Sequence, residues 1–187
     1  MTSTPVNRRP VFLLLFLFIA PLAFAFWLYY GSSWRPTLRT NHGTLIEPMV
    51  TLPIVLPRQG DPLFKGKWSL LVLGGGDAGC DAGCRNALVY ARQTWLSLGK
   101  LIPRVQRVLL AGSACCDASY LEREHRGLVT VDATTGSAAF RAVPTPHRDA
   151  VFVVDPLGNL MMRYDVQQDP KGLREDLKKL LELSHIG

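Results

Sequence analysis

A long apolar run near the N-terminus constrains this chain more than any other feature. Val11–Tyr30 carries no charged side chain. A helix rises about 1.5 Å per residue, so these residues would span about 30 Å, the thickness of the hydrocarbon core of a bilayer. Arg8 and Arg9 precede the run, which predicts a transmembrane helix with its N-terminus in the cytoplasm and the rest of the chain exported.

The same residues allow a second interpretation, a signal peptide that is removed. Ala23-Phe24-Ala25 matches an A-x-A cleavage site. The apolar run continues past this site to Tyr30, which is more typical of a retained anchor. We therefore predict four segments along the chain: a cytoplasmic N-terminus at 1–10, a transmembrane helix at 11–30, a linker at 31–60 and a folded domain at 61–187.

The part of the chain beyond the apolar run is long enough for one domain with a hydrophobic core. The chain has 187 residues and a net charge of +6, and its basic residues are scattered rather than interleaved with aromatic ones. This pattern gives no support for nucleic-acid binding. Residues 32–60 are rich in Pro, Thr and Arg, which predicts a linker that contains a short strand at Met49–Leu56.

Strand and helix patterns alternate beyond residue 60. Short apolar runs predict strands, which are Trp68–Leu73, Arg104–Ala111, Leu128–Val131, Val151–Val154 and Leu160–Tyr164. Helices are predicted at Arg85–Leu98, at Ala118–His125 and after Asp169, the expected N-cap of a helix with the apolar stripe Leu173, Leu177, Leu180 and Leu181. The turn at 156–159 makes the last two strands a hairpin. This order is typical of an α/β, thioredoxin-like three-layer fold with a mixed central sheet.

Cys80 and Cys84 lie where a glycine-rich loop leads from the first of these strands into a helix. A helix N-terminus favours thiolate over thiol, and the four-residue spacing puts both sulfurs on one face of the first turns. Two such thiolates can exchange with a disulfide or hold a soft metal ion. A structural disulfide is the plainer alternative, although closing so short a loop gives little entropic stabilisation.

From about residue 49 to 184 the chain resembles the Sco/SenC family of membrane-anchored copper proteins of cytochrome c oxidase assembly. The resemblance lies in the Cys80-x-x-x-Cys84 motif, in Gly66-Lys67-Trp68 before the strand, and in His147 upstream of Asp155-Pro156-Leu157-Gly158. It implies that Cys80, Cys84 and His147 bind copper, as Cu(I) or Cu(II). The chain departs from the family pattern in having Arg85 after the second cysteine, where Pro is usual, and a shorter distance from there to His147.

The order of the strands predicts, without the resemblance, that the cysteine and His147 side chains lie close together. Cys115 and Cys116 follow a strand expected to be parallel to the first, and His147 precedes one expected to be antiparallel, so all should lie at one sheet edge with Cys80 and Cys84. Two thiolates and an imidazole suit copper, and zinc with a fourth ligand. We expect Cys115 and Cys116 to be free thiols, with an auxiliary redox or metal role as the alternative. The other three histidines are expected to be solvated; they are His42, His125 and His185.

Two functions of different classes fit these features. The first is a membrane-anchored copper chaperone that assists copper-site assembly of cytochrome c oxidase, placed in the bacterial inner membrane with its domain on the periplasmic side. The second is a thiol–disulfide oxidoreductase rather than a metabolic enzyme, in which Cys80 attacks and Cys84 resolves to keep client cysteines reduced. His147 separates them, because copper binding needs an imidazole and thiol–disulfide exchange does not.

The expected partners are the membrane and an oxidase subunit or another copper or thiol client, without nucleic acid. A binding module with no chemistry is disfavoured by the intact cysteine pair.

Overall fold

The computed structural model describes residues 8–31, 40–52, 63–74, 80–112, 115–132, 143, 149–167, 169 and 171–186. The chain divides into two compact units, Met1–Thr40 and Asn41–Gly187. The first unit contains one helix, α1 (Arg9–Gly31), in which no described side chain is buried. It is long and apolar enough to cross a membrane, in line with the predicted anchor.

The second unit is built on a six-stranded sheet with the strand order β1-β6-β5-β2-β3-β4. Its elements, in chain order, are β1 (Thr44–Thr51), β2 (Trp68–Leu73), α2 (Ala82–Leu96), a 3₁₀ helix (Gly99–Arg104), β3 (Val105–Ala111), α3 (Ala118–Glu124), β4 (Leu128–Asp132), β5 (Ala150–Val154), β6 (Asn159–Asp165) and α4 (Gly172–Leu183). The predicted order of strands and helices is therefore confirmed.

The sheet is mixed, as the sequence predicts. Strand β2 pairs in parallel with β3, and β3 in parallel with β4. On its other side β2 pairs antiparallel with β5, which forms the expected hairpin with β6. Because β2 and β3 are parallel neighbours, the chain segments that follow them emerge at the same edge of the sheet.

Strand β1 differs from its prediction in position. It occupies Thr44–Thr51, before the predicted Met49–Leu56, and pairs antiparallel with β6 through Leu45 opposite Met162. The compact unit accordingly begins at Asn41, within the segment that the sequence assigns to a linker. The physical reason is that β6 has a free edge after pairing with β5, and the edge strand covers its hydrogen-bonding groups.

Helix boundaries also differ from the predictions by a few residues. Helix α2 starts at Ala82, because the side chain of Asp81 caps it, and ends at Leu96. Helix α4 starts at Gly172 rather than directly after Asp169. The Asp169 carboxylate still serves this helix end, since Oδ1 accepts hydrogen bonds from the backbone N–H groups of Lys171 at 3.1 Å and Gly172 at 2.9 Å.

Two hydrophobic clusters fill the two faces of the sheet. All six residues of β2 are buried, as expected for a central strand. The cluster on one face receives the apolar stripe of α4, in which Leu173, Leu177 and Leu181 are buried, together with residues of α2. In the described part of the chain, the cluster on the other face is covered by residues outside the helices, among them Leu52, Leu63, Phe64 and Val143. Burial of each large apolar side chain contributes about 2 kcal/mol.

A buried carboxylate joins the start of the second unit to its last helix. Asp176 is only 6% exposed, and its Oδ2 accepts hydrogen bonds from the backbone N–H of His42 at 2.7 Å and of Gly43 at 3.1 Å. The hydroxyl of Tyr164 donates to the same oxygen at 2.8 Å. This arrangement satisfies two backbone donors next to β1 and holds that strand against α4.

His125 is not solvated, so this prediction is wrong. Its side chain is 1% exposed, its Nε2 lies 3.2 Å from the hydroxyl of Tyr120, and its Nδ1 has no partner among the described residues. Burial, and next the nearby charge of Arg107, lower the pKa of this imidazole. Arg107 is itself buried, with its guanidinium over the ring of Trp95 at 4.6 Å.

Candidate metal and thiol-redox site

The start of α2 positions the first two cysteines of the candidate site. Asp81 is the N-cap of this helix, and its Oδ1 accepts a hydrogen bond of 2.9 Å from the backbone N–H of Cys84. Cys84 therefore lies in the first helical turn, where it is fully buried. Cys80 immediately precedes the cap and is partly exposed. The aspartate between the cysteines thus sets both the helix start and the position of Cys84.

Cys80 and Cys84 are joined by a disulfide, with their Cα atoms 5.2 Å apart. The structure therefore shows the oxidised form of the thiol pair. Cys80 is the partner that solvent and other molecules can reach, because it lies outside the helix and is half-buried rather than enclosed. Accessible disulfides of this kind can be attacked by an external thiolate.

Cys115 and Cys116 lie beside this disulfide, which confirms the expectation that they share its sheet edge. They follow β3, the parallel neighbour of β2. The backbone N–H of Cys80 donates a hydrogen bond of 2.7 Å to the carbonyl oxygen of Cys115, so main-chain atoms join the two loops. The sulfur atoms of all four cysteines lie within 4.8 Å of one another.

The second pair of cysteines consists of free thiols, as expected. Cys115 is buried and Cys116 is partly exposed, and their sulfur atoms are 2.7 Å apart. Burial and the contact with Cys115 raise the pKa of the Cys116 thiol to about 12, although the positive charge of Arg85 opposes this. At neutral pH Cys116 is therefore protonated in the disulfide form of the protein.

Two glycines create the space that this arrangement needs. A Cβ atom on Gly74 would lie 2.6 Å from the sulfur of Cys115 and 2.7 Å from the Cβ of Ala111. A Cβ atom on Gly83 would lie 1.4 Å from Oδ1 of Asp149. Any side chain at either position would displace its neighbour. The first glycine lets a cysteine sulfur approach the β2 loop, and the second lets a carboxylate approach the N-terminus of α2.

His147 lies outside the residues that the structure describes. The described residue next to it along the chain on the C-terminal side is Asp149, which precedes β5 and contacts Gly83 of α2. Strand β5 runs antiparallel to β2, so its first residues lie at the edge where β2 ends. Asp149 was not among the site residues expected from the sequence, and a lone carboxylate before a strand gives no signal there.

The donor set determines what this edge of the sheet can do. Cysteine sulfur is a soft ligand, and sulfur atoms this close together fit a soft metal ion once the disulfide is reduced. The same sulfurs can exchange with the disulfide of another protein. The sequence indicates the edge but not that the four sulfurs form one cluster, since that depends on the close approach at Gly74.

Several Sco proteins are among the solved structures that resemble this chain. Apo Sco1 from Thermus thermophilus is 19% identical over 77% of this chain and 99% of its own, with a TM-score of 0.56. Yeast Sco1 is 16% identical over 65% of this chain and 83% of its own, with a TM-score of 0.51. Yeast Sco1 with copper bound gives 16% identity, coverages of 65% and 79%, and a TM-score of 0.50. At these identities the likeness confirms the expected resemblance at the level of the fold.

A comparison with curated proteins finds no match. A family model does match, over residues 68–184, and describes a transmembrane-like, thioredoxin-like, C-terminal domain. This range runs from the start of β2 through the end of α4 and includes all four cysteines. The chain therefore belongs to the family of transmembrane-like, thioredoxin-like C-terminal domains.

Proposed function

We propose that this protein is a membrane-anchored copper chaperone whose CxxxC thiol pair assists copper-site assembly of cytochrome c oxidase. The observation that carries the proposal is the cluster of cysteine sulfurs at one sheet edge, within 4.8 Å of one another. Thiolate sulfur selects Cu(I) over harder ions. The fold that this chain shares with yeast Sco1, a protein solved with copper bound, supports the same ion.

The proposed copper ligands are the sulfurs of Cys80 and Cys84 and the imidazole of His147. Reduction of the disulfide by an external thiol would provide the two sulfurs as thiolates. The contact between Asp149 and Gly83 supports the third ligand. His147 is two residues from Asp149, and two residues of chain span at most about 7 Å, which supports its assignment as the third ligand.

The proposed location is the bacterial inner membrane, with α1 as a single anchor and the sheet domain in the periplasm. Arg8 and Arg9 before the apolar residues support this orientation. A disulfide persists in such an oxidising compartment, so a thiol reductant must act before copper is bound. The proposed partners are an oxidase subunit or another copper or thiol client.

Copper titration of the full-length protein in detergent tests this function. After anaerobic reduction, we expect native mass spectrometry to show about one copper ion per chain, as expected for one three-ligand site. Cys80→Ser should abolish tight binding, since it removes one of two anionic ligands, and His147→Ala should weaken the binding of Cu(II). His185→Ala is the matched control, because this histidine is exposed in the C-terminal tail. Unchanged copper affinity in Cys80→Ser would refute the site.

A thiol–disulfide oxidoreductase is the second candidate function. It is favoured by the disulfide itself and by a groove next to it, whose lining residues include Cys116, Leu121, His125 and Thr130. Such a groove would let a client chain lie beside the reactive sulfurs. His147→Ala separates the candidates in cells: a chaperone variant should lose oxidase assembly while its disulfide still cycles. A variant that assembles the oxidase as wild type does would favour the oxidoreductase.

A further inference from the structure

Cysteine sulfurs from two different chain segments meet at one edge of the sheet. Cys80 and Cys84 follow β2, whereas Cys115 and Cys116 follow β3. All four sulfur atoms lie within 4.8 Å of one another. The copper ligands proposed above include only the sulfurs of the first pair, so the role of the second pair is open to a separate explanation.

The position of the second pair is built into the backbone. The carbonyl of Cys115 accepts the 2.7 Å hydrogen bond from the N–H of Cys80. Its sulfur occupies space that exists only because residue 74 is glycine, where a Cβ atom would lie 2.6 Å away. Cys115 is 7% exposed, so this sulfur faces the cluster rather than solvent.

We infer that Cys115 and Cys116 are metal ligands, and that reduction of the Cys80–Cys84 disulfide creates a four-sulfur site for one soft d¹⁰ cation, Cu(I) or Zn(II). A tetrahedral ion with metal–sulfur distances of about 2.3 Å has its sulfurs about 3.8 Å apart. The 4.8 Å limit of the observed cluster is close enough for one ion to be bound after small side-chain rotations.

The disulfide controls when this site exists. While it is intact, the sulfurs of Cys80 and Cys84 are bonded to each other and are not thiolate ligands. An external dithiol breaks this bond by exchange: the reductant becomes a disulfide and gives up two electrons and two protons, and Cys80 and Cys84 become thiols. The cation then forms metal–thiolate bonds with the four sulfurs, and the thiol protons pass to water.

The inference rests on the proposed function only for the identity of the cargo. If the cargo is copper, Cys115 and Cys116 give Cu(I) a site made of sulfur alone, and Cu(I) does not need His147. The imidazole would then serve Cu(II), for which a nitrogen donor is more suitable than a second pair of thiolates.

Metal titration of the reduced full-length protein in detergent, under anaerobic conditions and with Cu(I) or Zn(II) alone, tests the inference. X-ray absorption should find only sulfur around Cu(I) in wild type. In Cys115→Ser/Cys116→Ser, the Cu(I) affinity should fall roughly a hundredfold, because two thiolate ligands are lost. The X-ray absorption spectrum of this double variant should then show two sulfur ligands and one nitrogen ligand around Cu(I). His185→Ala, at an exposed histidine of the C-terminal tail, should leave the Cu(I) affinity unchanged.

Circular dichroism checks that each variant is folded. If the double variant does not fold, Cys116→Ser replaces it, because Cys116 is the more exposed of the two and its neighbour then keeps its place against Gly74. Wild-type affinity for both cations in these variants would overturn the inference.

The same titration keeps this inference separate from the proposed function. If Cys80→Ser loses copper while Cys115→Ser/Cys116→Ser binds it as wild type does, the four-sulfur site is wrong and the chaperone proposal stands. If wild type binds Zn(II) through four sulfurs but binds no copper, the four-sulfur site stands and the chaperone proposal is wrong.

Discussion

At the scale of single residues, the candidate site depends on glycines, which leave space for neighbouring groups, as much as on its cysteines. Gly83 lies in the first turn of α2, between the capping Asp81 and the rest of the helix, and Asp149 fills the space where its side chain would be. Glycine is ordinarily the poorest choice inside a helix apart from proline. Its presence here is explained by the approach of a carboxylate to a helix N-terminus.

Replacing Gly83 tests this explanation. Gly83→Ala should destabilise the protein, because the new Cβ atom would lie 1.4 Å from Oδ1 of Asp149 and must displace it. In an Asp149→Ala background the same change should instead stabilise by about 1 kcal/mol, the helix propensity difference between Gly and Ala. Urea unfolding of the four proteins measures both values. A stabilising effect in both backgrounds would show that Asp149 does not occupy this space.

His125 predicts a dependence of stability on pH. Burial lowers the pKa of its imidazole in the folded protein, so the folded state binds a proton less readily than the unfolded chain, whose histidine pKa is about 6.5. Stability should therefore be lost as the pH falls through about 6.5 toward the lower folded pKa. The free energy of unfolding of His125→Gln should change less between pH 7.5 and 5.5 (roughly the window around that value) than that of wild type.

The control for this measurement is His185→Gln, because His185 is exposed in the C-terminal tail. It should keep the wild-type pH dependence. If His125→Gln and wild type lose stability equally over this window, another group is responsible.

At the scale of elements, the patterning of apolar residues predicts the central strands well and the edge poorly. All of β2 is apolar or small, and every residue of it is buried, so both its existence and its limits are apparent from the sequence. Strand β1 is an edge strand with mostly exposed residues and contains Pro48, so nothing in its composition separates it from a linker. Its pairing with β6, and the hydrogen bonds from the preceding residues His42 and Gly43 to Asp176 of α4, determine where it lies, and these are long-range interactions.

The start of α2 at Ala82 differs from the predicted start at Arg85 for another reason. The first turn contains Gly83 and Cys84, which are poor helix formers, and the cap at Asp81 lies inside the cysteine motif. The sequence predicts a solvated His125 because this residue follows a charged helix, α3, whereas its burial depends on packing near Arg107, which is distant along the chain.

The connection between β1 and α4 can be tested through Asp176. Asp176→Ala should destabilise by about 3 kcal/mol, because it leaves the Tyr164 hydroxyl and two backbone N–H groups without their acceptor in a buried place. Glu182→Ala is the control, since it removes an exposed carboxylate from the same helix. Urea unfolding gives the two free energies, and limited proteolysis should cut the β1 region of Asp176→Ala first. Equal stability of the two variants would contradict this role.

At the scale of the whole molecule, the anchor and the folded domain are separate units with separate tests. We expect the protein purified from membranes to begin at or near Met1, because the apolar residues of α1 extend to Gly31, past the A-x-A match at 23–25. N-terminal sequencing decides this. A mature protein that starts at Phe26 would instead identify the segment as a cleaved signal peptide.

Reduction of the disulfide should leave the domain folded. The bond closes a loop with a sequence separation of 4, for which the entropic contribution is only about 2 kcal/mol. Cys84 belongs to one of the two hydrophobic clusters, but most members of both clusters lie on the strands and helices away from the disulfide. Circular dichroism of the reduced protein should show one cooperative thermal transition at a moderately lower temperature. Loss of that transition on reduction would indicate a structural disulfide.

The hydrogen bond between Cys80 and Cys115 has a consequence for protein engineering. It joins the two loops through main-chain atoms, so the join does not depend on which side chains those residues carry. A designer can therefore replace the partly exposed Cys80 or Cys116 by a residue with an imidazole or a carboxylate and keep this main-chain hydrogen bond. A set of variants of this one scaffold could therefore provide sites with different affinities for different transition metals.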